Sequence, residues 1–91
     1  MEIIITYDIP EKHVEFKKAM FKMGYKDQIP GKVCKVIYFP NTTLYHPDKQ
    51  PVTAYNEAES VCRTLGIELE RCVSTPLGPA WYVSCGKPFK Q

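Results

Sequence analysis

The stretch PNTTL at 40–44 places an amide and two hydroxyls, Asn41, Thr42 and Thr43, between two runs of aromatic and β-branched residues. Such groups can hold phosphate oxygens. They also suit a structural corner, Asn as a turn former and Thr as a strand former. Arg71 interrupts the apolar side of IELERCVS, 67–74. Its guanidinium can grip a phosphate or carboxylate through two parallel hydrogen bonds, or pair with an acid at a strand end. Lys12, Lys17, Lys18, Lys22 and Lys26 give residues 12–26 a basic bias, diluted by Glu11 and Glu15. A solvated face explains that bias; in a nucleic-acid reading, Lys12, Lys18 and Lys22 join Asn41, Thr42, Thr43 and Arg71 as contacts. Trp81 and Tyr82 can stack on bases or, with Val83, fill an interface between copies.

Other chemistries have little to stand on. His13 and His46 lack a nucleophile pattern, and there is no glycine-rich phosphate loop. Cysteines 34, 62, 72 and 85 form no C-x-x-C pair and read as reduced thiols rather than zinc ligands. The formal charge of +2 over 91 residues neither demands nor excludes a nucleic acid. MEIIITYDIP begins with an acidic residue and a short apolar run, unlike a secretion signal, and no stretch approaches the ~20 apolar residues of a membrane span. The expectation is one soluble cytoplasmic domain, 1–91, without membrane contact.

Glu2 to Asp8 reads as a central strand, apolar on both faces up to Asp8. Residues 11–23 read as a helix with Phe16, Ala19, Met20 and Met23 on one stripe and Gly24 at its end. KVCKVIYF, 32–39, is a second strand, and TTLYH a third, joined to it as a hairpin across Pro40-Asn41. Residues 52–65 form a second helix on Ala54, Ala58, Val61, Cys62 and Leu65, closed by Gly66. A strand over 67–74 directs Ile67, Leu69 and Val73 one way. AWYVSC, 80–85, is a last strand, followed by a loose tail, GKPFKQ. The order is α+β, ferredoxin-like βαββαβ with an additional C-terminal strand, two helices on one face of an antiparallel sheet. The opposite face needs cover, which a homodimer would supply.

IIITYDIP at 3–10, with Tyr7-Asp8 ending the first strand, resembles the small CRISPR adaptation protein, the VapD-type ribonucleases and the GhoS antitoxin. The resemblance implies ferredoxin-like homodimers whose C-terminal strand, here Trp81, Tyr82 and Val83, joins the partner's sheet. It also implies that Asp8 is a catalytic metal ligand, two copies meeting across the dimer axis. Paired carboxylates of this kind can hold Mg²⁺, which activates water against a phosphodiester. The chain departs from the family in offering EKHVEFKK, without the arginine-rich helix start, and Val36-Ile37-Tyr38-Phe39 on the second strand. The plainer role for Asp8 is to cap the helix beginning near Pro10. The functional expectation is a dimeric nucleic-acid-associated protein, RNA or DNA, with metal-dependent endoribonuclease activity at Asp8. The alternatives are a non-catalytic protein-interaction or antitoxin-like module from a mobile or accessory gene set, and a small-ligand sensor.

Overall fold

Strand β1 (Ile3–Asp8) is paired along both edges. It is followed by helix α1 (His13–Lys22), β2 (Gln28–Pro30), β3 (Val36–Tyr38), β4 (Thr43–His46), helix α2 (Pro51–Leu65) and β5 (Arg71–Pro76). The computed structural model describes residues 1–88. β1 lies between β4 and β5 and runs antiparallel to both, so that Ile5 faces Leu44 across one edge and Ser74 across the other. β2 and β3 form a separate antiparallel hairpin, tied to β4 by reciprocal 2.8 Å hydrogen bonds between Lys26 and Tyr45. The architecture is α+β, with antiparallel sheets and two helices. No helix among the described residues is long and apolar enough to cross a membrane.

The alternation of β1 sorts its side chains. Ile3, Ile5 and Tyr7 are buried against the helices, while Ile4, Thr6 and Asp8 point to the other side. The helices answer with Phe16 and Met20 from α1 and Ala54, Ala58 and Cys62 from α2, and Leu44 joins from β4. The Tyr7 and Phe16 rings meet at 4.5 Å, tilted by 43°. Each large apolar side chain buried here stabilises the fold by roughly 1.5–3 kcal/mol.

Both helices end the same way. Gly24 (φ 92°) follows α1, its N–H donating to Phe21 O, while Tyr25 N–H reaches back to Met20 O. Gly66 (φ 72°) follows α2, its N–H donating to Arg63 O, while Ile67 N–H reaches Cys62 O. In each, a left-handed residue satisfies the last carbonyls and returns an apolar residue to the core. Pro51 starts α2, where its missing N–H is harmless. Lys12, itself left-handed (φ 61°), precedes α1 and donates from Nζ to Leu65 O at 2.8 Å, a cation at the negative end of α2.

Several sequence expectations give way. The run expected as a strand over 32–39 is extended only at 36–38; Gly31 to Lys35 is the loop of the β2–β3 hairpin, closed by Gly31 N–H to Lys35 O. Residues 28–30, which carry no strand expectation, form β2. No hairpin joins the runs on either side of Pro40: β3 pairs with β2, and β4 with β1. Pro40 has no N–H for a ladder, and its carbonyl instead accepts from Thr43 in a tight turn. Ile67 and Leu69 pack on the core before β5 begins, whereas Val73 lies on the opposite face, so the expected common side is absent. Residues 80–85 are not a strand. Gly86 lies against Tyr38 rather than in a loose tail, and Phe89 to Gln91 of that predicted tail lie outside the described residues.

Two outcomes test this packing. A Cβ on Gly24 would sit 2.8 Å from His46 Nε2 as well as straining a positive φ, whereas one on Gly66 would meet open space. Gly24→Ala is therefore expected to lose more stability in urea unfolding than Gly66→Ala, whose backbone strain alone is worth about 1–2 kcal/mol. Glu57 is half-buried and accepts from the Tyr25 hydroxyl at 2.7 Å and Lys49 Nζ at 2.9 Å. Burial pushes its carboxyl up, but these two bonds and the Lys49 charge outweigh burial and hold it below the ordinary value. Between the folded value and the unfolded value of about 4.3, the unfolded chain binds more protons. The stability from this group is thus fully present above about pH 4.3 and lost as pH falls through the folded value. Urea titrations at neutral and acidic pH are expected to show a smaller acid loss for Glu57→Gln than for the unaltered chain.

Candidate nucleic-acid interface

The register of β1 with its two neighbours lays out the sheet face away from the helices as three rungs. Ile4 lies between Tyr45 and Thr75, Thr6 between Thr43 and Val73, and Asp8 beside Arg71. The first rung is mainly apolar, the second mostly hydroxyl-bearing, the third ionic. Phe39 covers the first, its ring 6.2 Å from that of Tyr45 and 6.2 Å from that of Trp81. The Tyr45 hydroxyl donates to Glu2 at 2.5 Å. Burial first, and that bond second, push it up to about 12, so it remains a neutral donor at ordinary pH.

Residues 77–88 return across this face as an irregular segment. Leu77 N–H to Glu2 O anchors its start, and Tyr38 N–H to Cys85 O its end. Between segment and sheet lies a cleft of about 740 Å³. Ile4, Thr6 and Thr43 line it from the sheet, Phe39, Pro40 and Asn41 from the turn, and Trp81, Tyr82, Val83 and Lys87 from the returning segment. The arrangement offers aromatic surface for a flat ring, hydroxyl and amide groups for polar edges, and cations at Lys87 and, on the same sheet face, Arg71.

Asp8 and Arg71 meet at 2.6 Å, Nε to Oδ2, with both side chains well exposed. The hydrogen bond to Asp8, reinforced by its charge, raises the Arg71 guanidinium further. Asp8 does not cap α1: the residue at that position is Lys12, and no side chain caps the helix. The reason is distance along the chain. Asp8 is still in β1, its carbonyl accepting from Glu70 N–H, and the helix starts only at His13. Among the described residues no group of three or more His, Cys, Asp or Glu could hold a metal ion. Asp8 presents one carboxylate, engaged by the Arg71 guanidinium.

The structure divides the residues singled out from sequence. Asn41, Thr43, Trp81, Tyr82 and Val83 line one cleft, and Arg71 shares its sheet face. Thr42 is outside it, its carbonyl accepting from Tyr7 N–H at 3.0 Å. Lys12 is engaged at the end of α2. Lys18 and Lys22 lie beside a different groove, about 500 Å³ between the helices, over Ala19, Met23, Val61 and Leu65. Lys17 is no part of a solvated basic face: it is buried with Nζ 3.8 Å from Asp27, and burial lowers its ammonium below the ordinary value. His46 is structural, Nδ1 accepting from Asp48 N–H while Nε2 meets Met23 O at 3.1 Å.

Ile4, Thr6, Phe39 and Lys87 were not singled out as site residues. The apolar character of both parities of β1 was the signal for Ile4; nothing local marks Phe39 or Lys87. The four cysteines are not all thiols either. Cys34 and Cys85 are disulfide-bonded, while Cys62 and Cys72 are free. The pairing joins residues 51 positions apart, which no local spacing announces.

The exposure of the Asp8–Arg71 pair fixes what its removal should do. Asp8→Asn and Arg71→Ala are each expected to leave the urea unfolding midpoint nearly unchanged. A larger loss in urea titration would mean that the pair holds the sheet together. Comparison with family models, with curated proteins and with solved structures finds no match for this chain.

Proposed function

We propose that this chain is a nucleic-acid-associated protein on a ferredoxin-like frame, that it takes single-stranded RNA or DNA on the outer sheet face, and that it works in the cytoplasm. The frame is supported by the path of the chain. β4 and β5 are both antiparallel to β1, hence parallel to one another, and α2 joins them with β1 between, a split βαβ unit. β2 lies beyond β4 through the Lys26–Tyr45 bridge, and β3 extends it as an extra hairpin arm.

The observation that carries the functional reading is the cleft, which combines Trp81 and Tyr82 with Asn41, Thr6, Thr43 and Lys87 over the sheet. Tyr82 is 99% exposed and Trp81 39% exposed, so both rings are open to a ligand. Stacking of a base on an aromatic ring contributes about 1–3 kcal/mol and tolerates any base. Cations beside it supply the salt-sensitive attraction to phosphates. Metal-dependent cleavage at Asp8 belongs to this proposal only through a second copy, since one chain offers one carboxylate.

A second reading has its own observation. Val73 is 59% exposed on the same face, next to an Asp8–Arg71 pair whose opposite charges are self-complementary across a two-fold axis. This favours a homodimeric protein-interaction or antitoxin-like module.

Fluorescence anisotropy with labelled single-stranded RNA and DNA separates the two, with Mg²⁺ or chelator present. The proposal expects binding that weakens steeply with salt, and a loss on the order of tenfold for Tyr82→Ala. No binding of either strand, together with a dimeric mass by light scattering, would replace it with the interaction module. Cleavage that persists in Asp8→Asn would remove Asp8 as the catalytic carboxylate.

A further inference from the structure

The cleft wall formed by residues 77–88 is not held by strand pairing. Its far end is fastened by Cys85, bonded to Cys34 in the loop of the β2–β3 hairpin, Cα to Cα 6.0 Å. Two glycines permit that closure. A Cβ on Gly86, whose φ is 72°, would lie 2.6 Å from the Tyr38 carbonyl oxygen, so only glycine lets the segment approach β3 this closely. A Cβ on Gly31 would run into the Cys34 carbonyl and the Ile37 side chain, so the loop presenting Cys34 is equally tight. Besides the bond, the fastening consists of Tyr38 N–H to Cys85 O and the Trp81–Phe39 ring contact. Cys85 is exposed, within reach of an external thiol.

We propose that the Cys34–Cys85 disulfide is a redox latch. Oxidised, it holds the 77–88 strap on the sheet and completes the cleft wall; reduced, it frees the strap and the wall disperses. The chemistry is thiol–disulfide exchange with a dithiol reductant. A reductant thiolate attacks one sulfur of the pair to form a mixed disulfide, and the other sulfur leaves as a thiolate and takes a proton. The second reductant thiol, as its thiolate, then attacks the mixed disulfide, closes the reductant's own disulfide and releases the first cysteine as a thiolate, which takes a proton. Two electrons pass to the protein, leaving two cysteine thiols and one oxidised reductant. The other cysteines do not compete. Burial pushes the Cys62 thiol up and Cys72 to about 11, so few of either are thiolates at neutral pH. A disulfide in a reducing compartment is characteristically transient rather than a permanent staple. The strap carries Trp81 and Tyr82, so fixing it removes an ordering cost that a ligand would otherwise meet. This consequence for affinity rests on the nucleic-acid reading above; the latch itself rests only on the cytoplasmic placement proposed there.

The test uses the full chain, oxidised or treated with dithiothreitol, beside a Cys34→Ser, Cys85→Ser variant. Trp81 is the single tryptophan, so its quenching by acrylamide reports the strap directly. Reduction is expected to raise the quenching constant about twofold and to speed hydrogen exchange at the Tyr38 amide about tenfold or more. The double variant should behave as reduced in both buffers, and a Cys62→Ala, Cys72→Ala variant should respond like the unaltered chain. Binding of a labelled single-stranded oligonucleotide is expected to weaken about tenfold on reduction. Unchanged quenching and exchange would overturn the latch. Opening with unchanged or tighter binding would overturn the strap as cleft wall. Opening with no binding in either state would uphold the latch and overturn the nucleic-acid reading.

Discussion

Two helices can cover one face of an antiparallel sheet, and the other face must be dealt with in some other way. In this chain α1 and α2 bury Ile3, Ile5 and Tyr7, leaving Ile4, Thr6 and Asp8 on the far side with no helix over them. The rest of the structure responds to that constraint. Phe39 turns over Tyr45, Trp81 lies against Phe39, and the 77–88 segment crosses back to be fastened at Cys34. The cover is partial, and the space beneath it is the cleft.

Partial cover explains why the chemistry collects where it does. Between its end anchors the strap meets the body largely through rings rather than a ladder, so polar groups of the sheet and turn stay available to a visitor. On the helix side, Glu57 is committed to Tyr25 and Lys49, and Lys12 to the end of α2. The Asp8–Arg71 pair lies at the solvent end of the sheet face, where it shapes local charge and adds little to stability.

What could be read in the sequence follows from locality. The apolar stripes of both helices and their closing glycines involve residues three to seven positions apart, and the structure has them at Phe16, Met20, Ala54, Ala58, Cys62, Gly24 and Gly66. The alternation of β1 marked a strand with two useful faces. Pairing was not local: two β-prone runs beside Pro40 pointed to a hairpin, but the partner of β3 came from 28–30, a short segment ending in proline. The site was legible in pieces. Asn41, Thr43, Trp81 and Tyr82 stood out by type, yet that they share a cleft depends on a disulfide spanning most of the chain. Lys17 counted with the other lysines of 12–26 toward a solvated basic bias, while its pairing with Asp27 draws it inward.

On the function proposed above, the sheet face left uncovered by the helices is the working surface. Amide chemical-shift mapping during titration of the oxidised chain with a short single-stranded RNA tests it most directly. Shifts are expected to concentrate at Ile4, Thr6, Thr43, Val73 and Trp81, with Ala19, Val61 and Leu65 undisturbed. Shifts confined to the groove between α1 and α2, or none at saturating RNA, would contradict it.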